Sequence, residues 1–137
     1  MISIILPIYN EQDGLIAFMQ TLQDEVVKFG EAYEIIFVND GSKDNSLSII
    51  RELCNSNINY KFINLSRNFG HQIAVSAGID FAKGDKVVLM DSDGQDPPYV
   101  IVEMLAKLKK GYDVVYAKRI KREDEGAMKK FTASVFY

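Results

Sequence analysis

Apolar positions along this chain change period repeatedly, from continuous runs to a helical step and back. Ile2–Tyr9 is an apolar, extended run; Glu11–Phe29 then carries Leu15, Phe18, Met19, Leu22, Val26 and Phe29 at three- and four-residue steps, the stripe of an amphipathic helix. Glu34–Val38 predicts a second strand, followed by a helix from about Asp44 with Leu47, Ile50, Leu53 and Cys54 inward. Tyr60–Leu65 reads as a third strand, His71–Phe81 as a helix and Lys86–Met90 as a fourth strand. Pro97 or Pro98 opens a helix through Lys109, and Asp113–Ala117 reads as a fifth strand. Strands alternating with helices imply an α/β fold, its sheet mostly parallel and covered on both faces.

Bulk properties narrow the function classes. At 137 residues, 47% hydrophobic and 26% charged, the chain has the size and composition of one globular domain. A net charge of −3 argues against nucleic acid as the main partner. One cysteine, Cys54, excludes a disulfide framework and a cysteine-rich zinc site, and fits a reducing cytosol. No apolar run reaches the ~18 residues of a membrane span, and Met1–Pro7 reads as a strand rather than a signal peptide.

The chemistry concentrates where strands end. Asp91-Ser92-Asp93-Gly94-Gln95-Asp96-Pro97-Pro98 follows the fourth strand, and the two-residue period sends Asp91 and Asp93 to one side. Paired carboxylates there repel each other unless a cation compensates, and oxygen-only ligands suit Mg²⁺ or Mn²⁺ shared with substrate phosphates. The plainer reading is a polar strand-to-helix turn with Asp96 or Pro97 starting the helix. The first strand ends in Pro7-Ile8-Tyr9-Asn10-Glu11, the second in Asn39-Asp40-Gly41-Ser42-Lys43-Asp44 and the third in Ser66-Arg67-Asn68-Phe69-Gly70-His71. The fifth gives Lys118-Arg119, so five loops on one sheet edge describe a ligand cleft. No Gly-x-Gly-x-x-Gly or Walker-type loop is present, which leaves phosphate to the metal and to cations such as Arg67 or Arg119.

The four motifs Pro7–Glu11, Val38–Ser42, Ser66–Gly70 and Asp91–Pro98, in this order along the chain, together resemble the family 2 glycosyltransferases of the GT-A fold. The likeness is strongest to the polyprenyl-phosphate branch that includes dolichol-phosphate mannose synthase. The resemblance implies a Rossmann-like α/β domain and a metal-dependent, inverting transfer from a nucleotide sugar to a polyprenyl phosphate. It places Pro7, Tyr9 and Glu11 in the nucleotide pocket, Asp40 against the base and Arg67 near the nucleotide and diphosphate. Asp91 and Asp93 match the Asp-x-Asp pair, with Asp93 the direct metal ligand, Asp91 also near the nucleotide and Gln95 joining the metal shell. Arg119 matches a basic residue near the donor diphosphate and the acceptor phosphate. The Gln95–Pro98 ending is similar to the UDP-sugar branch, which favours UDP over GDP. The same pattern leaves two alternatives: a saccharide hydroxyl as acceptor, or a non-catalytic module that binds nucleotide sugar or docks a partner.

We expect residues 1–120 to form the nucleotide-sugar domain and 121–137 a basic tail. Met128, Phe131, Thr132, Val135 and Phe136 recur there at helical steps beside lysines, which suits either a membrane interface or packing on the domain itself. Members of the resembled branch continue further, so the acceptor side and the membrane surface are expected beyond Tyr137, with the whole protein at the cytoplasmic face of the plasma membrane. The oligomeric state stays open. Other residues have plainer roles: His71 a polar contact or helix-end residue, Cys54 a small buried hydrophobe, Asp44 a helix cap, and Lys107–Lys110 a basic helix C-terminus.

Overall fold

The computed structural model describes residues 1–120 and 130–136. Internal contacts divide the chain into two units, Met1–Asp96 and Pro97–Tyr137.

The first unit is built on a four-stranded parallel sheet of order β3-β2-β1-β4, with β1 Ile2–Ile8, β2 Tyr33–Asn39, β3 Tyr60–Asn64 and β4 Lys86–Leu89. The apolar runs form the middle of the sheet: Ile2, Ile4, Ile5, Leu6, Ile35, Phe37 and Val38 are fully buried, as strands covered on both faces must be. The helices α1 Leu15–Val26, α2 Ser46–Ser56 and α3 His71–Phe81 link successive strands.

α3 lies over β1 and β2, where Ala74 packs with Ile5, Ile36 and Val38. A Cβ on Gly78 would sit 2.4 Å from Ile5 Cγ2, so only glycine lets the helix approach this closely. On the other face Phe37 meets Tyr60 edge-on at 5.8 Å, and the Tyr60 hydroxyl donates to Gln23 of α1.

The order 3-2-1-4 means that β1 and β4 are joined to the rest of the chain in opposite directions. A crevice opens at the carboxyl ends of such a pair. Register shows how it opens here. Ile2 N and Ile8 O bond toward β2, whereas Ile5 O accepts from Met90 N beyond β4, so odd residues of β1 face β4. Pro7 therefore carries its missing N–H toward β4, two residues past the last ladder pair Ile5↔Leu89. The proline costs the sheet no hydrogen bond, because the strands have already parted.

The second unit contains α4 Tyr99–Leu108, β5 Val114–Ile120 and β6 Lys130–Phe136. Here two expectations are corrected. The fifth strand does not extend the parallel sheet: it pairs antiparallel with β6, from Val114↔Phe136 to Ile120↔Lys130. Residues 130–136 are likewise strand, not helix. Phe131, Thr132, Val135 and Phe136 are aromatic or β-branched, and a ladder with β5 satisfies the backbone that a short isolated helix would leave marginal. The charged tail residues Lys121, Arg122, Glu123, Asp124 and Glu125, and Met128 with them, lie outside the described residues.

Candidate functional site

Three of the four strand-end loops are tied to one another by backbone and side chain. Asp40 is 4% exposed, and its carboxylate accepts from Phe69 N at 2.7 Å and Gly70 N at 3.2 Å, fastening the loop after β3 to the end of β2. Gly41 has φ 68, and a Cβ there would stand 2.3 Å from Asn68 N, so the two loops touch backbone to backbone. Asn39 Nδ2 donates to Asn64 Oδ1 at 2.8 Å one residue earlier. The loop after β1 is bonded in turn to the loop after β2, through Asn10, Glu11 and Gln12.

Between these loops and the end of β4 lies a pocket of about 320 Å³, within the range of small-ligand sites. Pro7, Ile8, Tyr9 and Glu11 line it from β1, Asp40 from β2, Asn68, Gly70 and His71 from the β3–α3 loop, and Asp91, Ser92 and Asp93 from β4. Six sequence-predicted residues, Pro7, Tyr9, Glu11, Asp40, Asp91 and Asp93, thus meet in one cavity. Arg67 does not line it: its guanidinium lies over the Phe69 ring, 4.5 Å from the centroid. Gln95 is not a lining residue either; its backbone N–H donates to Asp93 Oδ1 at 2.9 Å, which turns the chain and orients that carboxylate. Arg119 belongs to β5 in the second unit, and its side chain lies outside the described residues.

The pocket is electrostatically incomplete. Glu11 titrates above the ordinary glutamate range because burial penalises its charge and Asp93, Asp44 and Asp91 repel it. Among the described residues no lysine or arginine pairs with Glu11, Asp91 or Asp93; only His71 Nε2 comes within 3.9 Å of Asp91 Oδ1, an ion pair when the imidazole is protonated. Ser92, 3% exposed between the two aspartates, has a buried hydroxyl with no hydrogen-bond partner among the described residues.

This donor set fits a divalent cation: hard oxygens, excess negative charge and room for a ligand. Among the described residues no group of three His, Cys, Asp or Glu side chains is arranged to hold a metal by itself. Oxygen atoms from a substrate would have to complete the shell, as is usual for Mg²⁺.

Sequence reasoning left His71 at a helix end. It is the first residue of α3, and it also faces Asp91 across the pocket. Asn68 and Ser92 were hidden inside motifs read for their neighbours. Asp44 does cap α2, its Oδ1 accepting from Ser46 N at 2.9 Å. Cys54 is half-buried, and burial pushes its thiol up to about 11.

Comparison with known proteins bears on the fold and the family. The chain is 50% identical over 98% of its length to an uncharacterized glycosyltransferase, YkcC, of Bacillus subtilis (strain 168). It is 41% identical over 99% of its length to a prophage bactoprenol glucosyl transferase homolog of Escherichia coli (strain K12). The chain spans 42% and 44% of those two relatives. Among solved structures, Staphylococcus aureus TarS 1-349 in complex with UDP-GlcNAc matches with a TM-score of 0.62 and 24% identity, covering 80% of this chain and 31% of that one. The mannosyltransferase PcManGT of Pyrobaculum calidifontis, in complex with GDP-Man and Mn²⁺, matches with a TM-score of 0.65 and 22% identity, covering 88% of this chain and 35% of that one. These likenesses show the fold, GT-A. Residues 3–132 match Glycosyl transferase family 2, and the chain belongs to that family.

Proposed function

We propose that this chain is the donor-binding part of a metal-dependent, inverting glycosyltransferase. It takes a sugar from a nucleoside-diphosphate donor, UDP in preference to GDP, and passes it to a polyprenyl phosphate at the cytoplasmic membrane face. The observation that carries the reading is the carboxylate-rich pocket at the β1/β4 switch point. Identity of 40–41% across almost the whole chain to proteins named bactoprenol glucosyl transferase, or a homolog of one, supports the acceptor class.

In this reading Asp93 and Asp91 would hold the cation, with Gln95 near its shell. The cation would supply Lewis-acid neutralisation of charge on the departing nucleoside diphosphate. Pro7, Tyr9, Asp40 and Asn68 form the wall for the nucleoside. Asp40 already accepts two backbone N–H bonds and keeps lone pairs for a third donor, such as the imide of a base. Attack from the face opposite the leaving group inverts the anomeric carbon. A phosphate acceptor is already anionic and asks for no general base, so positioning and electrostatics dominate.

The test is transfer of labelled sugar from UDP- and GDP-sugars to undecaprenyl phosphate in vesicles with Mn²⁺. Label in the lipid phase supports the reading. Label only in a water-soluble saccharide overturns the acceptor class, and a chain that binds no nucleoside diphosphate overturns the donor site as well.

A further inference from the structure

The loop after β1 and the loop after β2 share no strand ladder beyond Ile8↔Asn39, yet five hydrogen bonds cross between residues 10–12 and 42–46. They form two reciprocal pairs with one bond between them. Asn10 N donates to Ser42 Oγ at 3.0 Å, while Asn10 Oδ1 accepts from Lys43 N at 2.8 Å. Gln12 N donates to Asp44 Oδ2 at 3.2 Å, while Gln12 Oε1 accepts from Asn45 N at 3.0 Å. In the middle, Glu11 N donates to the buried Ser46 Oγ at 2.8 Å.

Two further features make this a built device rather than loop chemistry. Asn10 is the one non-glycine with positive φ among the described residues, at 53, in the left-handed region that asparagine tolerates best after glycine. Asp44 uses its other oxygen on Ser46 N, so one carboxylate caps α2 and grips the first loop at once. The residue enclosed by the lattice is Glu11, which the bonds hold by its backbone alone, leaving its side chain to the pocket wall.

We propose that Asn10 and Asp44 are positioning residues: acting through this lattice, they lock the two loops into one block that sets Tyr9 and Glu11 against the nucleoside diphosphate. Neither lines the pocket. The idea rests on the donor-site reading for its ligand but not for its mechanics. Independent turns would break one at a time; a block fails together.

Amide hydrogen exchange on the chain tests the mechanics, and calorimetric titration with UDP and Mn²⁺ tests the consequence. Asn10→Gly keeps the φ and deletes the acceptor; Asp44→Ala deletes the acceptors of both Gln12 N and Ser46 N. Each should speed exchange at residues 10–12, 43, 45 and 46 together. Each should also weaken UDP by about tenfold, or about 1.4 kcal/mol. Asn10→Asp, which restores the acceptor, should recover most of both, whereas Asp44→Asn, with one amide oxygen for two N–H donors, should recover only part. Exchange that speeds only at the amide whose partner was removed overturns the block. Unchanged UDP affinity in variants with collective exchange overturns the positioning role. If the unaltered chain binds no nucleoside diphosphate, the donor-site reading and the positioning role fall, and exchange alone decides whether the block exists.

Discussion

The two ends of the parallel sheet treat the same residue type in opposite ways. At the amino end Glu34, 2% exposed, is fully satisfied: Ser3 Oγ and Lys83 N donate to Oε1 at 2.6 and 2.7 Å, and Lys61 Nζ to Oε2 at 2.6 Å. Burial alone would raise its pKa, but the bonds from Lys61, Ser3 and Lys83 outweigh that and lower it to about 2. Glu31 nearby pairs with Lys86 at 2.7 Å. At the carboxyl end Glu11 is pushed upward by burial and by its acidic neighbours, and no cation among the described residues answers it. Burial acts on both glutamates. What separates them is whether the fold supplies the counter-charge itself, and where it does not, a ligand has to.

Breaking each end should therefore cost different things. The largest loss is expected from Glu34→Ala, which strips three donors of their acceptor. We expect about 3 kcal/mol in urea unfolding with UDP affinity unchanged, Lys61 remaining half in water. Gly41→Ala should come next, at about 2 kcal/mol from the left-handed backbone and the 2.3 Å approach to Asn68 N. Unlike Glu34→Ala, it should also weaken UDP, because it pries apart two loops of the pocket. Asp93→Asn should leave the urea midpoint unchanged or slightly raised, since it relieves repulsion. It should cut Mn²⁺-dependent UDP affinity at least tenfold, about 1.4 kcal/mol.

The smallest and sharpest contrast is in pH. Glu34 has a depressed folded pKa, so its contribution is complete above the unfolded value of 4.5 and is lost as pH falls toward about 2. Glu11 has a raised folded pKa, so its charge opposes folding, and protonation as pH falls through that raised value relieves the strain. Urea midpoints across this range should show Glu34→Gln flattening the acid loss and Glu11→Gln steepening it. Parallel curves for the two variants would erase the distinction between the ends.

How much of this was legible in the sequence depends on the range of the interaction. The helix His71–Phe81 matches its expected bounds, and β1 to β4 match to within a residue; in β1 and β2 burial on two faces imposes the long apolar runs. The first helix was expected from Glu11 and begins at Leu15. Its stripe is apolar only from Leu15, and Asn10–Gln12 are claimed by the loop some thirty residues away. The cross-loop lattice was invisible for the same reason: Asp44 reads as a cap, and nothing local says that its second oxygen holds Gln12. Strand character in 113–117 was readable, but not its partner, since the pattern of a strand does not name the edge it pairs with. At the site, the acidic residues declared themselves by motif, whereas His71 and Ser92 became visible only once the turn after β4 faced the start of α3.

The central claim is that the pocket between β1 and β4 takes a nucleoside diphosphate through a divalent cation on Asp91 and Asp93. Calorimetric titration of the chain with UDP, in Mn²⁺ and again with the metal chelated, tests it most directly. The account predicts saturable binding with Mn²⁺ that falls at least tenfold when the metal is removed. Equal affinity in both conditions, or no binding in either, would contradict it.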